Sequence, residues 1–322
     1  MKTSLVVLII VGIFVIGGIF LLGSGNGGPT GNVVADGKDV SGKTSTAKPS
    51  GSIEIKGSDT IVELVSNLAE AYEKTNPNVR LSVTGGGSGT GIASLINGEI
   101  DIADASRPIK DEEKKEAADK GIGSYEFSIA RDMLSVIVHD GNPVKALTTE
   151  QVAKIYKGEI TNWKDVGGKD EKITLYGRQS TSGTYVFFME HILKGDYSKE
   201  MKNMEGNQAI LDAVRQDESG IGYVGIGYIV DDSGNKVDGI EVLKVNGISA
   251  LEFDKINQYA VSRPLYQYFA ELPKEGTAEY DFLMFELGED GQNIVEKTGF
   301  VKLTNIDRGR NIALLRWNAL KR

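Results

Sequence analysis

The chain has 322 residues, of which 40% are hydrophobic and 25% charged, a composition typical of globular proteins and a length sufficient for two domains. It has no cysteine, which excludes disulfides, thiolate metal sites, a cysteine nucleophile and a lipid anchor on cysteine. The net charge of −9 argues against nucleic acid as a partner, because such a partner requires a basic surface.

The chain begins with an uncharged apolar segment. Residues 5–23, after the single cation Lys2, form a stretch long enough to span a bilayer as a helix. A cleaved signal peptide is the alternative, although its apolar core is usually shorter. Residues 24–51 are rich in Gly, Ser, Thr and Pro, which predicts a flexible linker. We therefore predict an exported protein, with residues 1–23 either a tether to the outer face of the membrane or a removed signal.

Strands and helices alternate at the start of the folded body. Alternating polarity within 52–60 predicts a short strand that turns at Gly57, and apolar residues at helical spacing predict a helix over 61–77. A strand over 79–83 and a helix over 92–99 follow, and residues 100–108 are predicted to form a strand that leads into another turn. Each strand ends in a turn that is rich in glycine or hydroxyl residues.

The second half continues the same alternation. Extended segments are predicted over 132–139, 172–178, 220–230 and 256–269, and helices over 148–158, 185–193, 278–287 and 291–299. Strands that alternate with helices predict an α/β fold with mixed, mainly parallel sheets. In such sheets ligands bind at the carboxyl ends of the strands.

Four strand-to-helix turns resemble one another. They are GSDT at 57–60, GGGSGTG at 85–91, ADASRP at 103–108 and GRQSTSGT at 177–184. A helix N-terminus presents unpaired N–H groups and a partial positive charge, so one such turn suits a helix cap. Several of them, together with an arginine whose planar fork of donors fits an oxyanion, could converge on one anion.

Each turn also has a plainer interpretation. The glycine loop at 85–91 lacks the lysine of a P-loop and does not match G-x-G-x-x-G, so by itself it is typical of a structural turn. Ser182 alone is typical of an N-cap, and Asp59 alone would cap the helix that begins near Ile61. Arg178 alone is typical of an ion-paired residue. The cluster, and not any one member, indicates an anion site.

The chain offers little for catalysis. Its two histidines, His139 and His191, are far in sequence from any serine motif, and neither a nucleophile elbow nor a metal-binding histidine pattern is present. Hydroxyl donors without a general base favour binding over acyl transfer. We therefore predict a binding protein that is not an enzyme and that needs no cofactor and no metal.

Taken together, these segments resemble the substrate-binding proteins of phosphate-specific ABC transporters, the PstS type. The blocks that carry the resemblance, in order within 52–303, are GSDTIVELV, VTGGGSGTGI, GEIDIADASRPI, LTTEQVAKIYKGEITNW, GRQSTSGTYVFF, GIGYVGIGY and GQNIVEKTGFVKL. The resemblance implies a two-lobed, hinged periplasmic-binding-protein fold of type II that closes over one phosphate. Lobe 1 would comprise 52–132 and 262–322, and lobe 2 would comprise 133–261. The implied partners are inorganic phosphate and the permease subunits of the transporter.

The resemblance also implies a set of phosphate-binding residues. Matched position by position, they are Asp59, Thr60, Ser88, Ser106, Arg178, Ser182, Gly183 and Thr184. One exchange departs from the family pattern, which places threonine at the position of Asp59 and aspartate at that of Ser106. The family aspartate is thought to accept the proton of phosphate and to repel sulfate, which has none. The hypothesis is that Asp59 takes over this acceptor role, and helix capping is its alternative.

Other functions fit parts of the pattern. Another tetrahedral oxyanion such as sulfate, molybdate or tungstate could occupy the same donors, although a carboxylate disfavours unprotonated anions. A phosphate-sensing receptor, or less readily an extracellular phosphatase, would also use such turns. Phosphate capture for an ABC permease remains the prediction.

Overall fold

The computed structural model describes residues 50–231 and 234–319, which form two five-stranded mixed sheets with helices packed on them. The predicted segment 1–23 lies outside the described residues, and so does the predicted linker 24–51 except for its last two residues. Within the described ranges, no helix combines the length and the apolar character needed to cross a membrane. The predicted α/β fold class is confirmed.

The first sheet combines strands from the start of the body with one late strand. They are β1 (Gly51–Gly57), β2 (Val79–Thr84), β3 (Ile102–Ala105), β4 (Tyr125–Met133) and β12 (Ser262–Phe269). Their order is β2-β1-β3-β12-β4, with β1 parallel to β2 and β3, and β12 antiparallel to β3 and β4. The carboxyl ends of β1, β2 and β3 therefore share one edge, and three of the four predicted turns leave from it.

The second sheet uses strands from the middle of the chain. They are β5 (Ser135–His139), β7 (Thr174–Arg178), β8 (Lys202–Met204), β9 (Gly220–Val224) and β10 (Ile240–Val242). The order is β10-β5-β9-β7-β8, with β7 parallel to its two neighbours and β5 antiparallel to both of its own. The fourth predicted turn follows the carboxyl end of β7. A small parallel pair joins β6 (Ala146–Leu147) to β11 (Lys244–Val245).

Helices cover the sheets. They are α1 (Val62–Thr75), α2 (Ser88–Ile96), α3 (Asp111–Asp119), α4 (Thr149–Lys157), α5 (Gly183–Phe188), α6 (Gly206–Gln216), α7 (Ala278–Leu287), α8 (Glu289–Lys297) and α9 (Asn305–Ala319). Leu64, Leu68 and Tyr72 of α1 recur every four residues and are buried, as the apolar spacing predicts. The chain continues from α5 into a π-helical turn over Met189–Leu193.

The predicted start of α4 is confirmed in detail. Thr148 Oγ1 accepts a hydrogen bond from Gln151 N at 3.1 Å, and the Gln151 side chain accepts one from Thr148 N at 2.8 Å. This is a reciprocal capping box. Gly158 ends the helix with a φ of 79°, a conformation that costs glycine little.

Two chain crossings join the sheets, and they correct the prediction of one continuous strand over 132–139. The chain leaves the first sheet at Met133 and enters the second at Ser135. Leu134 N, at the crossing, donates to Val261 O on the returning segment at 3.0 Å. The two connections between the sheets therefore lie side by side, which is the arrangement that a hinge requires.

Two other extended segments are shorter than predicted. The strand predicted over 220–230 ends at Val224, and a 3₁₀ turn occupies Ile226–Tyr228. The chain turns there because the Asp132 carboxylate accepts a hydrogen bond from Ile226 N, a contact with a distant strand that local sequence cannot reveal. Of the extended segment predicted over 256–269, only Ser262–Phe269 forms a strand.

Candidate functional site

The four turns predicted to bind an anion contact one another. The hydroxyl oxygen of Thr60, which follows β1, lies 2.8 Å from that of Thr184 in α5, after β7. Ser106 Oγ, after β3, lies 3.5 Å from each of these two oxygens. Ser88 Oγ, at the start of α2, is 3.3 Å from Ser106 Oγ. These four residues, from three turns of the first sheet and one of the second, form a single group that we call the hydroxyl cluster.

The hydroxyl cluster is arranged to donate hydrogen bonds. A hydroxyl group has one proton and two lone pairs, so an oxygen that already accepts a bond keeps its proton for another partner. Ser106 N donates to Ser88 Oγ at 3.0 Å, and Arg263 Nη2 donates to Thr184 Oγ1 at 2.8 Å. Ser88 and Thr184 therefore each keep a proton to donate, and both side chains are fully buried.

Ser182 serves first as a helix cap, as its position predicted. Its Oγ accepts hydrogen bonds from Thr184 N at 3.2 Å and from Tyr185 N at 3.3 Å, at the start of α5. The side chain is 2% exposed. Because the oxygen only accepts in these two contacts, the Ser182 proton also remains available.

Arg178 places a buried cation beside the hydroxyl cluster. Its Nη2 donates to Asp59 Oδ2 at 2.5 Å and its Nε to Gln179 Oε1 at 3.2 Å. Nη1 is buried and makes no hydrogen bond within the described part of the protein. A buried charged donor without a partner is costly, so this N–H group is suited to an acceptor supplied by a ligand. The backbone N of Arg178 is held by Tyr223 OH at 3.2 Å.

Asp59 joins the first sheet to the second through both its side chain and its backbone. Besides the bond to Arg178, Oδ1 accepts from Gly86 N at 2.7 Å. The Asp59 carbonyl accepts from Tyr228 OH at 2.6 Å and from Asn207 Nδ2 at 3.3 Å, both from the middle of the chain. The alternative that Asp59 only caps α1 is wrong, because that helix begins without a side-chain cap.

Glycines let the turns approach this closely. A Cβ atom on Gly183 would lie 2.2 Å from Ser88 Oγ and 2.7 Å from Ser106 Oγ, far inside van der Waals contact. A Cβ atom on Gly87, whose φ is +95°, would lie 2.6 Å from Thr181 O. A side chain at either position would push the turns apart. Gly183 is thus placed against the hydroxyl cluster.

Sequence reasoning missed several polar residues around the cluster. Arg263 and Asp132 form a buried ion pair beside it. Three further residues, Asn207, Tyr223 and Tyr228, bond to the backbone of Asp59 or Arg178, as described above. Arg263 carries a signal in retrospect, because it is the one charged residue of β12 and lies beside the predicted boundary between the lobes, whereas Asp132 follows another charge, Arg131, in β4. The other three support backbone atoms, which no side-chain pattern encodes.

Two buried carboxyl groups lie beneath the turn that carries Ser106. Burial raises the pKa of Asp104 in β3 to about 8, although hydrogen bonding to Gln267 opposes the rise. Burial and the nearby Asp104 also raise the pKa of Glu286 well above its usual range. Among the described residues, three buried side-chain oxygens have no hydrogen-bond partner, one each in Asp104, Glu286 and Gln267. A proton on either acid would supply a donor to this group of oxygens. Burial therefore favours the protonated form of both groups.

Comparison with protein families gives one broad match. Residues 42–284 match the family described as "PBP superfamily domain". A phosphate-binding protein PstS of Staphylococcus epidermidis is 36% identical over 301 residues, which cover 91% of this chain and 88% of the relative. A PstS of Staphylococcus aureus is 35% identical over 298 residues, covering 90% and 86%.

Solved structures give the same picture. A Clostridium perfringens protein assigned as a phosphate ABC transporter substrate-binding protein, solved with bound phosphate, has a TM-score of 0.70 and 33% identity. The match covers 79% of this chain and 100% of that structure. An ABC-type phosphate transport receptor from Vibrio cholerae has a TM-score of 0.65 and 28% identity, covering 78% and 100%.

Proposed function

The chain belongs to the PstS family of phosphate-binding proteins within the PBP superfamily, and from this premise we propose that it captures inorganic phosphate outside the cell and delivers it to an ABC permease. The phosphate would lie between the turns of the two sheets. The residues that would contact it or shape its binding site are Asp59, Thr60, Ser88, Ser106, Arg178, Ser182, Gly183 and Thr184. No bond in the ligand would be broken.

The observation that carries the proposal is the unpartnered Nη1 of Arg178 beside the hydroxyl cluster. The site contains a buried guanidinium donor and hydroxyl protons that are free to donate, and its one carboxylate already accepts two hydrogen bonds. Donors in excess of acceptors, shielded from water, suit an oxyanion. The N-terminus of α2 adds a partial positive charge at Ser88.

Binding would require the two sheets to move apart slightly. The hydroxyl oxygens of Thr60 and Thr184 are 2.8 Å apart and bond to each other directly. A tetrahedral anion between them would have to separate these oxygens and accept a hydrogen bond from each, in place of the single bond that now joins them. The paired chain crossings at Leu134 and Val261 provide a place for such a motion, in the manner of hinged binding proteins.

Selectivity for phosphate is proposed to rest on Asp59. Each of its carboxylate oxygens accepts one hydrogen bond from the protein and keeps a lone pair. A protonated phosphate oxygen can donate to that lone pair, whereas sulfate has no proton at neutral pH and would be repelled. At the position where the family usually has an aspartate, this chain has the neutral Ser106. Asp59 is therefore the one carboxylate among the residues proposed to bind the anion.

Calorimetric titration of Asp59→Asn with phosphate and with sulfate tests this role. The substitution also weakens the bond to Arg178, but that loss affects both anions, so the ratio of the two dissociation constants isolates the acceptor. We expect the preference for phosphate to fall at least about tenfold, or 1.4 kcal/mol. An unchanged ratio would assign selectivity to other groups.

The exported location and the membrane tether are also proposals. They rest on the uncharged segment 5–23 and the polar linker that follows it, and on the membership of a family of transporter-associated binding proteins. Cell fractionation with N-terminal mass determination distinguishes the two forms. A membrane-bound protein with an intact N-terminus supports the tether, and a soluble exported protein that begins after residue 23 indicates a signal peptide.

Titration of the purified protein with phosphate, sulfate and molybdate tests the function itself. We expect one phosphate per chain and much weaker binding of the other two anions. Comparable or tighter binding of sulfate or molybdate would assign the protein to another oxyanion. Hydrolysis of a generic phosphoester by the same sample would identify an enzyme.

A further inference from the structure

A second buried arginine lies beside the hydroxyl cluster, on the strands that connect the two sheets. Arg263 in β12 and Asp132 in β4 are direct cross-strand neighbours, and their side chains are 2% and 0% exposed. Asp132 Oδ2 accepts from Arg263 Nε at 3.1 Å and from Nη2 at 2.8 Å. Buried charges are tolerated when they are paired and hydrogen-bonded, and this pair meets both conditions.

The pair contacts groups from both sheets. Arg263 Nη1 donates to the carbonyl of Ser106, which follows β3 of the first sheet, at 2.7 Å. Arg263 Nη2 donates to Thr184 Oγ1, which follows β7 of the second sheet, at 2.8 Å. Asp132 Oδ1 accepts from Ile226 N, which follows β9, at 3.0 Å. The ion pair therefore ties the two sheets together beside the candidate site.

The bond from Arg263 determines where the Thr184 proton can point. Because Nη2–H occupies one lone pair of Oγ1, the hydroxyl proton must be directed away from the guanidinium. The acceptors in that direction are Thr60 Oγ1 at 2.8 Å and Ser106 Oγ at 3.5 Å, both members of the hydroxyl cluster. An anion placed in the cluster would receive this proton instead.

The Asp132 carboxylate balances the charge of Arg263. Burial lowers the pKa of Arg263, the Asp132 carboxylate raises it, and the positive charge of Arg178 lowers it to a smaller extent. The Phe187 ring, whose centre is 5.0 Å from Arg263 Cζ, covers the guanidinium and helps to keep it in place.

We propose that Arg263 is a positioning residue for anion capture, which holds the Thr184 hydroxyl as a donor to the anion and joins the two sheets around it. The inference rests on the proposed function, because the anion is the phosphate proposed above. It concerns a residue that would act through Thr184 without touching the ligand.

Arg263→Lys and a matched control, Arg131→Lys, test this role. Lysine keeps the charge opposite Asp132, but one amine cannot reach Asp132, Ser106 O and Thr184 Oγ1 together. Arg131 precedes Asp132 in β4, so its side chain lies on the other face of the sheet, where it pairs with Asp307 at 3.2 Å. Phosphate affinity of both variants is measured by calorimetry, well below their unfolding midpoints.

The expected result is a loss of phosphate affinity of about tenfold or more for Arg263→Lys and a change within about twofold for Arg131→Lys. An Arg263→Lys affinity within about threefold of the unmodified protein overturns the inference. If Arg263→Lys does not fold, the double variant Asp132→Asn with Arg263→Gln takes its place. It removes both buried charges together, so that neither is left unpaired, and is expected to show the same loss.

A double-mutant cycle with Thr184→Val separates positioning from general structural damage. If Arg263 acts through the Thr184 hydroxyl, Arg263→Lys weakens binding by less than about twofold further when that hydroxyl is absent. If Arg263→Lys lowers phosphate affinity as much in the Thr184→Val protein as in the unmodified protein, the inference that Arg263 acts through Thr184 is wrong. A failure of the unmodified protein to bind phosphate overturns the proposed function as well, whereas binding without coupling overturns this inference alone.

Discussion

Replacing Arg178 by glutamine removes the one cation that is proposed to touch the phosphate. Nη1 has no partner among the described residues, and Nη2 is shared with Asp59, so one or two bonds to the anion are at stake. Charge-assisted hydrogen bonds contribute roughly 1.5–3 kcal/mol each. The expected loss is therefore roughly 1.5–6 kcal/mol, or from about tenfold to about ten-thousandfold in dissociation constant.

The fold should tolerate this change. Asp59 loses its ion pair but remains 18% exposed and keeps the bond from Gly86 N at 2.7 Å, so no fully buried charge is left alone. The assay is calorimetric titration with phosphate, accompanied by a thermal melt to confirm folding. Arg131→Gln is the control, because it removes an equal charge from an ion pair outside the hydroxyl cluster, and its partner Asp307, although 1% exposed, keeps the hydrogen bonds from Thr304 N and Thr304 Oγ1.

Two outcomes would contradict the proposed role of Arg178. A folded Arg178→Gln protein whose phosphate affinity falls by less than about tenfold would place Arg178 outside the site. An equal loss in Arg131→Gln would show that binding responds to total charge and not to the donors of the cluster. Either outcome would contradict the proposal that Arg178 and the hydroxyl cluster bind the anion.

Three further predictions concern groups around the site. Gly183→Ala should weaken phosphate binding strongly in a folded protein, since the added Cβ would lie 2.2 Å from Ser88 Oγ. An unchanged affinity in a titration would contradict the close approach of the turns. Tyr223→Phe should cost about 1–3 kcal/mol in urea unfolding, because the buried Arg178 N loses its acceptor. Stability should fall as pH rises between about 4 and 8, by up to about 1.4 kcal/mol per unit for each proton, because the raised pKa values of Asp104 and Glu286 let the folded state bind more protons. Asp104→Asn should reduce this slope in melts across pH, and an unchanged slope would show that Asp104 does not hold one of the protons.

Local signals were enough to predict the turns, but not the groups that support them. The capping role of Ser182 and the helix after it follow from a hydroxyl residue in front of an apolar run, a pattern contained within a few residues. Arg263 and Asp132 are 131 positions apart, and their pairing depends on how β12 lies beside β4. Long-range pairing of this kind is not encoded in a local pattern.

The helices illustrate the same limit. α1 has a continuous apolar face and was predicted to within two residues of its ends. α3 (Asp111–Asp119) was not predicted, because Ala117 is its one buried residue and its sequence shows no apolar stripe. Only the structure shows where the Asp59 side chain points. In the sequence, an aspartate that caps a helix and one that bonds to a residue of the other sheet have the same pattern.

A crystal structure of the protein grown with inorganic phosphate would locate the anion. We expect one phosphate between the four turns, with an oxygen within about 3 Å of Arg178 Nη1 and with the Thr60 and Thr184 hydroxyls separated to donate to it. Phosphate bound elsewhere, with the Thr60 and Thr184 oxygens still 2.8 Å apart, would contradict this expectation.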